Sequence, residues 1–389
     1  MNRKQRILYV VDFLPNVPNS VGDILNCMLK FRKDQYDQYI CLGEGRLYNI
    51  IDHKRIKGYS VYSAEEKNKK ELILSRKYSV HEKMLYLVRH GILNLLGDLY
   101  DWDGYNKDSE IKYFQQILKM CKPDLVIFFM YTPKRIYIDA CIKNRIPYMH
   151  MLYDTVISRP RVANNCLADE RYCIEHAKGY FIPSFFFHDY QKKYKESTNV
   201  FSYDLPLLIS SEMVKRAYSK NTIKKYKFSY FGQIQKFRKA EQIKMILRKA
   251  GIVLNVFTTM KLDSDDAFNI HEAVSGGKLF DTIVMSEFLI AFDNGVPYEN
   301  YLPSKAYLYV SFTKPVIAFG DNKSSALIDF FKDYPMFYYQ NINEPLDGLY
   351  EFIETNSDNG FRPKIYNKYM RFLPQNSLTG VFEVIENGI

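Results

Sequence analysis

Residues 288–319 read FLIAFDNGVPYENYLPSKAYLYVSFTKPVIAF. The run Phe288–Phe292 has the unbroken apolar character of a parallel strand buried on both faces, and Asp293-Asn294-Gly295 marks its exit loop. After a polar loop, Pro303-Ser304-Lys305 opens a short helix, 306–310. Thr313-Lys314-Pro315 breaks that helix, and Val316–Phe319 is a second buried strand. The helix therefore starts beside the carboxyl end of a parallel strand, where open α/β sheets bind ligands. Its N-terminus and the charge of Lys305 favour an anion, and Ser304 is placed to cap the helix or bond a phosphate oxygen. This is the layout of a diphosphate site.

A second place of this kind lies upstream. Phe228–Phe231 reads as a strand, Gly232-Gln233 as its exit, and Lys236, Arg238 and Lys239 lead into a helix with Ala240, Ile243, Ile246, Leu247 and Ala250 on one face. Leu254–Thr258 is the next strand, and helices are expected at 324–332 and 344–355. The first part of the chain repeats the alternation. Strands at Ile7–Val11, Tyr39–Leu42, Leu125–Met130, Tyr148–Leu152, 179–182 and 200–203 are separated by helical patterns, which implies a parallel, doubly wound sheet. After Asp12 comes a loop to Ser20, then a helix with Val21, Ile24, Leu25, Met28 and Leu29 on one stripe. Asn19 or Ser20 is placed to cap it, and Gly22 lets the backbone approach a ligand. The G-x-G-x-x-G dinucleotide fingerprint is absent. Tyr153-Asp154 follows a strand directly and so faces the crevice at the sheet's carboxyl edge. Residues 205–227, with Pro206 and a run of lysines, read as a linker.

The segment 303–316 resembles the donor-site motif of GT-B glycosyltransferases, close to the group-1 (GT4-like) enzymes of bacterial capsule and exopolysaccharide synthesis. The resemblance rests on Pro303-Ser304-Lys305, Tyr309 and Lys314-Pro315-Val316, supported by Gly232 with Lys236 and Arg238. It implies an α/β GT-B fold, two Rossmann-like doubly wound domains facing a cleft. Residues 1–205 would form the acceptor side, 206–360 the nucleotide-sugar side, and 361–389 a segment crossing back to the first domain. It implies sugar transfer from a nucleotide diphosphate sugar, a UDP-sugar being expected, to a glycan or lipid-linked acceptor, with no cofactor and no metal. The donor would meet Gly232, Gln233, Lys236, Arg238, Val274, Asn294, Glu299, Pro303, Ser304, Lys305 and Tyr309. Asn19, Gly22 and Tyr153 would line the acceptor side, and Asp12 or Asp154 would be the catalytic carboxylate. Two positions depart from the family. Leu308 stands where a ribose-binding Glu is common, so Glu299 is the candidate for that role. Tyr153 stands where a His near the transferred sugar is common. A nucleotide-sugar epimerase of the same architecture and a non-catalytic partner subunit are the competing readings.

Composition narrows the class. The 389 residues allow two ordinary domains, and 47% hydrophobic with 25% charged residues describes a globular chain. The net charge of +10 is concentrated in residues 1–204, with 32 basic against 24 acidic groups, which suits an anionic partner or membrane surface. No dense basic block or RNA-binding motif points to nucleic acid. Cys27, Cys41, Cys121, Cys141, Cys166 and Cys173 form no C-x-x-C pair and read as reduced thiols of a cytoplasmic protein. The apolar run 7–11 is too short for a signal peptide, and no stretch reaches the roughly 20 apolar residues of a spanning helix. Membrane contact is expected to be peripheral, at the inner face of the membrane. The apolar, aromatic run 84–100 is read as a core helix or as an interfacial one. The histidines have no metal-ligand spacing, and Asp263-Ser264-Asp265 lies in a polar loop without an apolar frame.

Overall fold

Runs of Val, Ile, Leu and Phe become the inner strands of two parallel sheets, as continuous apolar segments do when both faces are covered. The computed structural model describes residues 3–12, 20–42, 60–63, 107–131, 134–154, 164–220, 223–234, 239–293, 302–321, 325–357 and 364–388. They divide into two units, Met1–Leu205 with Ser377–Ile389, and Pro206–Asn376.

The first unit holds a seven-stranded sheet. Its strands are β1 (Gln5–Val11), β2 (Tyr36–Leu42), β3 (Ser60–Ser63), β4 (Leu125–Phe129), β5 (Tyr148–Met151), β6 (Gly179–Pro183) and β7 (Val200–Tyr203). The spatial order is β3-β2-β1-β4-β5-β6-β7, and every pairing is parallel. Ile7 to Val11 and Leu125 to Phe129 are almost wholly buried. Helices Ser20–Lys30, Lys107–Cys121, Arg135–Lys143, Asn164–His176 and Phe187–Lys193 connect the strands.

The second unit holds β8 (Tyr226–Phe231), β9 (Leu254–Thr258), β10 (Phe268–Glu272), β11 (Ser286–Phe292), β12 (Val316–Gly320) and β13 (Phe337–Asn341). They are all parallel, in the order β10-β9-β8-β11-β12-β13. Each sheet thus turns at its first strand, β1 or β8, where the chain builds outward on one side and then on the other. An open α/β sheet has its ligand crevice at that point.

Several elements differ from the sequence reading. Residues 211–220, read as linker, form a helix that buries Val214 and Ala217, and its Tyr218 hydroxyl donates to the Phe312 carbonyl at 3.0 Å. That apolar stripe is interrupted by lysines and an arginine, which hide its period. β3, β10 and β13 were not anticipated, because Ser, Asn, His, Gln and Glu dilute their apolar character. The tail was expected to cross back from 361. Instead, 364–376 belongs to the second unit: the Thr313 hydroxyl donates to the Lys364 carbonyl at 2.9 Å, and Phe372 packs edge-on against Tyr307. Only from Ser377 does the chain belong to the first unit. There helix Thr379–Gly388 sets Phe382 against Phe31, and Glu386 accepts the Tyr36 hydroxyl at 3.0 Å and pairs with Arg32. Cys41, Cys121, Cys141 and Cys173 are buried, Cys27 is half-buried, and none is in a disulfide. The run 84–100 lies outside the described residues. Among those that are described, no helix is long and apolar enough to cross a membrane.

The first core carries two polar groups whose partners explain them. Glu170 is fully buried and accepts the hydroxyls of Tyr180, Tyr190 and Tyr194 at 3.1, 2.5 and 2.9 Å. His150, also fully buried, has Nε2 3.1 Å from the Met130 carbonyl. A carbonyl only accepts, so Nε2 carries the proton, and Nδ1 accepts from the Cys173 thiol at 3.7 Å. Burial keeps the ring neutral and pulls its pKa from 6.5 to about 4, against the pull of the Met130 carbonyl. The unfolded chain takes up this proton first. Stability from this group is therefore complete above about pH 6.5 and declines as pH falls toward 4, by roughly 3 kcal/mol at most. Urea unfolding between pH 7 and 4 is expected to show a steeper loss for the native chain than for His150→Leu. Parallel pH dependences would refute the buried neutral ring.

Candidate functional site

The strand order places the second unit's switch point, where an open α/β sheet has its crevice, between the carboxyl ends of β8 and β11. Tyr230, near the end of β8, is fully buried, and its ring stacks on Phe292 of β11 at 4.4 Å. The hydroxyl donates to the Gln233 carbonyl at 2.8 Å. Lys305, the first residue of helix Lys305–Ser311, donates from its ammonium to that hydroxyl at 3.2 Å and lies 4.7 Å from the ring centre. The lysine passes directly over Gly232. A Cβ built on Gly232 would stand 2.9 Å from Lys305 Nζ and 3.2 Å from Cε, and the residue has φ +130°. Glycine is therefore required here for backbone freedom, and any larger residue would also push the lysine's end aside.

The next strand ends are tied together beside this point. Asp293, following β11, is buried and accepts the hydroxyl of Tyr339 from β13 at 2.9 Å. Gly320, closing β12, fits beneath that contact, since a Cβ there would lie 2.3 Å from Tyr339 Oη and 2.5 Å from Asp293 Cβ. Lys239, preceding helix Ala240–Lys249, pairs with Asp321. Two cations thus reach the carboxyl edge of one sheet, Lys305 from beyond β11 and Lys239 from beyond β8.

The first unit has its own polar group at its switch point, between β1 and β4. Asp12 follows β1, and its Oδ2 accepts the Tyr131 N–H at 2.6 Å and the Tyr153 hydroxyl at 2.8 Å. These donors come from the exits of β4 and β5, so three strand ends converge on one carboxylate. The Tyr153 ring packs on Phe129 at 5.3 Å. Lys134, at the start of helix Arg135–Lys143, has its pKa pulled down to about 8 by burial, with the charge of Asp12 pulling the other way.

The expected residues fall into three sets. Gly232, Gln233 and Lys305 come together at the β8–β11 crevice, and Asp12 and Tyr153 at the β1–β4 crevice, with Asp154 next along the chain and half-buried. A second set is described but occupies other roles. Tyr309 was expected at the donor; it is fully buried and donates to the Ile290 carbonyl at 3.1 Å, because it lies on the helix face that packs on β11. Ser304 does not cap its helix: its backbone is already helical and its side chain makes no cap bond. Pro303 is buried, and its carbonyl accepts the Ala306 N–H at 2.9 Å. Val274 is half-buried beyond the edge strand β10, and Gly22 is buried in the first turn of helix Ser20–Lys30. The third set, Asn19, Lys236, Arg238, Asn294 and Glu299, lies outside the described residues. Among the described residues, no group of three His, Cys, Asp or Glu side chains could hold a metal ion. Sequence reasoning missed Tyr230, Tyr131, Lys134 and Asp293. Asp293 was visible as the polar residue ending an apolar strand, whereas Tyr230 looked like any other core aromatic.

With this geometry in place, the comparisons with solved structures give the class: the protein has the two-domain α/β fold of GT-B enzymes. It is similar to sucrose-phosphate synthase from Thermosynechococcus elongatus over 99% of this chain and 98% of that one, with a TM-score of 0.60 and 10% identity. It is similar to UDP-GlcNAc 2-epimerase from Methanocaldococcus jannaschii over 97% and 99%, with a TM-score of 0.54 and 11% identity. HepE from Anabaena, solved with UDP and glucose, matches over 98% and 96%, with a TM-score of 0.54 and 9% identity. No family model matches the chain, and no curated protein matches it in sequence. At these identities the likeness is one of fold.

The two glycines Gly232 and Gly277 test the packing argument. Gly232→Ala forces a side chain into a backbone region reserved for glycine and is expected to cost about 1–3 kcal/mol. Gly277 lies in the first turn of helix Gly276–Met285 with nothing within 4 Å of an added Cβ, so Gly277→Ala is expected to keep or raise stability, by up to about 1 kcal/mol. Calorimetric Tm values should separate in that direction. Equal Tm values would remove the case for a glycine requirement at 232.

Proposed function

We propose that this protein is a GT-B glycosyltransferase, moving a sugar from a UDP-sugar to a glycan or lipid-linked acceptor. The observation that carries the reading is the Lys305 ammonium, held over Gly232 in the β8–β11 crevice. A departing diphosphate develops negative charge. A pre-positioned cation offsets that charge with little reorganisation, which is the largest kind of contribution enzymes make to such steps. Lys236 and Arg238 are proposed to add to this charge, and the pairing of Lys239 with Asp321 shows that a cation from that stretch reaches the same sheet edge. No cofactor or metal is part of the proposal.

On the acceptor side the reading assigns Asp12 as the carboxylate that takes the acceptor's proton if the anomeric centre inverts. The hydrogen bonds from Tyr131 and Tyr153 to Oδ2 orient the carboxylate, and orientation is what a general base needs first. Asp154 is the second candidate. The resemblance of 303–316 supports an acceptor in surface polysaccharide synthesis, used at the inner face of the membrane.

Epimerisation of the nucleotide sugar is the second reading, supported by the similarity to a UDP-GlcNAc 2-epimerase. Incubation with UDP-glucose, UDP-galactose and UDP-GlcNAc separates the two: slow release of UDP supports transfer, and a C2 epimer supports epimerisation. Either activity is expected to need Lys305. Losing a charged hydrogen bond to phosphate costs about 1.5–3 kcal/mol, so Lys305→Ala should lower turnover roughly tenfold to a hundredfold with an unchanged circular dichroism spectrum. Unaltered kinetics would overturn the site assignment.

A further inference from the structure

A hydroxyl in an aromatic core needs a reason. Tyr230 lies among Phe228, Phe288, Ile290 and Phe292 at zero exposure, where phenylalanine would fill the same space. Placing an oxygen there is costly unless it is hydrogen-bonded. Its position one residue before the end of β8 lets the ring stay in the core while the hydroxyl reaches the sheet's carboxyl edge.

Two contacts of that hydroxyl have fixed directions. The Gln233 carbonyl can only accept, so it takes the single phenolic proton at 2.8 Å. The oxygen's lone pairs are left to accept from the Lys305 ammonium at 3.2 Å. The ring beneath also attracts the cation, at 4.7 Å from its centre, and the stack on Phe292 keeps the ring from turning. Gly232 lies on the other side, with Lys305 Cε and Nζ close over its backbone. A lysine has four flexible side-chain bonds and loses much rotamer freedom when it is fixed. Tyr230 and Gly232 impose that order before any ligand arrives.

We propose that Tyr230 is the positioning residue for Lys305: its hydroxyl, oriented by the Gln233 carbonyl, fixes the ammonium where the diphosphate of a nucleotide sugar binds. The inference rests on the reading of Lys305 as the diphosphate contact. It goes beyond that reading by assigning the placement of the ammonium to a tyrosine whose ring belongs to the core.

A double-mutant cycle on the full chain, with UDP as the probe in isothermal titration calorimetry, tests it. Tyr230→Phe keeps the ring and its stack, so the fold and its Tm should stay close to native. UDP affinity is expected to fall about threefold to tenfold, the worth of one oriented hydrogen bond. Lys305→Ala should weaken UDP roughly tenfold to a hundredfold. In the Lys305→Ala background, Tyr230→Phe should change affinity by less than about twofold, because the hydroxyl acts only through the lysine. A merely structural tyrosine would weaken binding by the same factor in both backgrounds, and that result overturns the inference. Native UDP affinity in Tyr230→Phe also overturns it. Native affinity in Lys305→Ala overturns instead the diphosphate reading on which it rests.

Discussion

The pairing of β8 with β11 is the constraint on which the second unit's site depends. The chain leaves β8 toward β9 and β10 on one side, then returns to build β11, β12 and β13 on the other. Two segments with no covalent reason to meet therefore end side by side, Gly232-Gln233 beyond β8 and the 302–305 turn beyond β11. A cation carried on the second reaches over the backbone of the first. The same logic places Asp12 beside Tyr131 in the first unit, where β1 adjoins β4.

Strongly perturbed ionisable groups lie outside the crevices as well as in them. Lys314 is almost fully buried, and burial, with help from Lys224, lowers its pKa to about 6. It donates to the Val284 carbonyl at 2.7 Å and to the Ser286 carbonyl, and it precedes β12, so it sits at the amino edge of the sheet, away from the carboxyl edge. It joins the end of helix Gly276–Met285 to the start of β11. His150, Cys173 and Glu170 are likewise core groups with satisfied partners. Perturbed ionisation by itself does not single out the crevices, since it marks Lys134 beside Asp12 but also Lys314 and His150 in the cores; position on the sheet edge is the better guide. Part of the Lys314-Pro315-Val316 motif is thus explained by folding physics, whatever the chemistry performed.

Gly232 and Gly320 show how little side chain these strand ends tolerate. At Gly320 a methyl would collide with the Asp293–Tyr339 contact, and at Gly232 the Lys305 ammonium lies over a backbone whose φ of +130° favours glycine. Stability and site are coupled at these positions, since the contacts that order the strand ends also order the charges.

The sequence alone marked most of the strands and their parallel arrangement, because short apolar runs such as Phe288–Phe292 or Ile7–Val11, bounded by turn residues and alternating with amphipathic helices, suit a sheet covered on both faces. It also placed Lys305 and Gly232 at strand exits, since polar residues must follow where buried runs end. It did not reveal helix Ser211–Lys220, whose narrow apolar stripe is broken by charge, or β3, β10 and β13, whose polar residues interrupt the apolar run, even though Gln340 and Asn341 of β13 are themselves buried. The roles within the sites were decided only in three dimensions. Tyr309 has the residue type expected of a donor contact, yet helix geometry turns it into the core. Tyr230 has the look of a core residue, yet its place one residue from the strand end carries its hydroxyl to Lys305. Composition and period report burial, which is local. The partner of a hydroxyl or an ammonium depends on which strands become neighbours, and only the tertiary structure decides that.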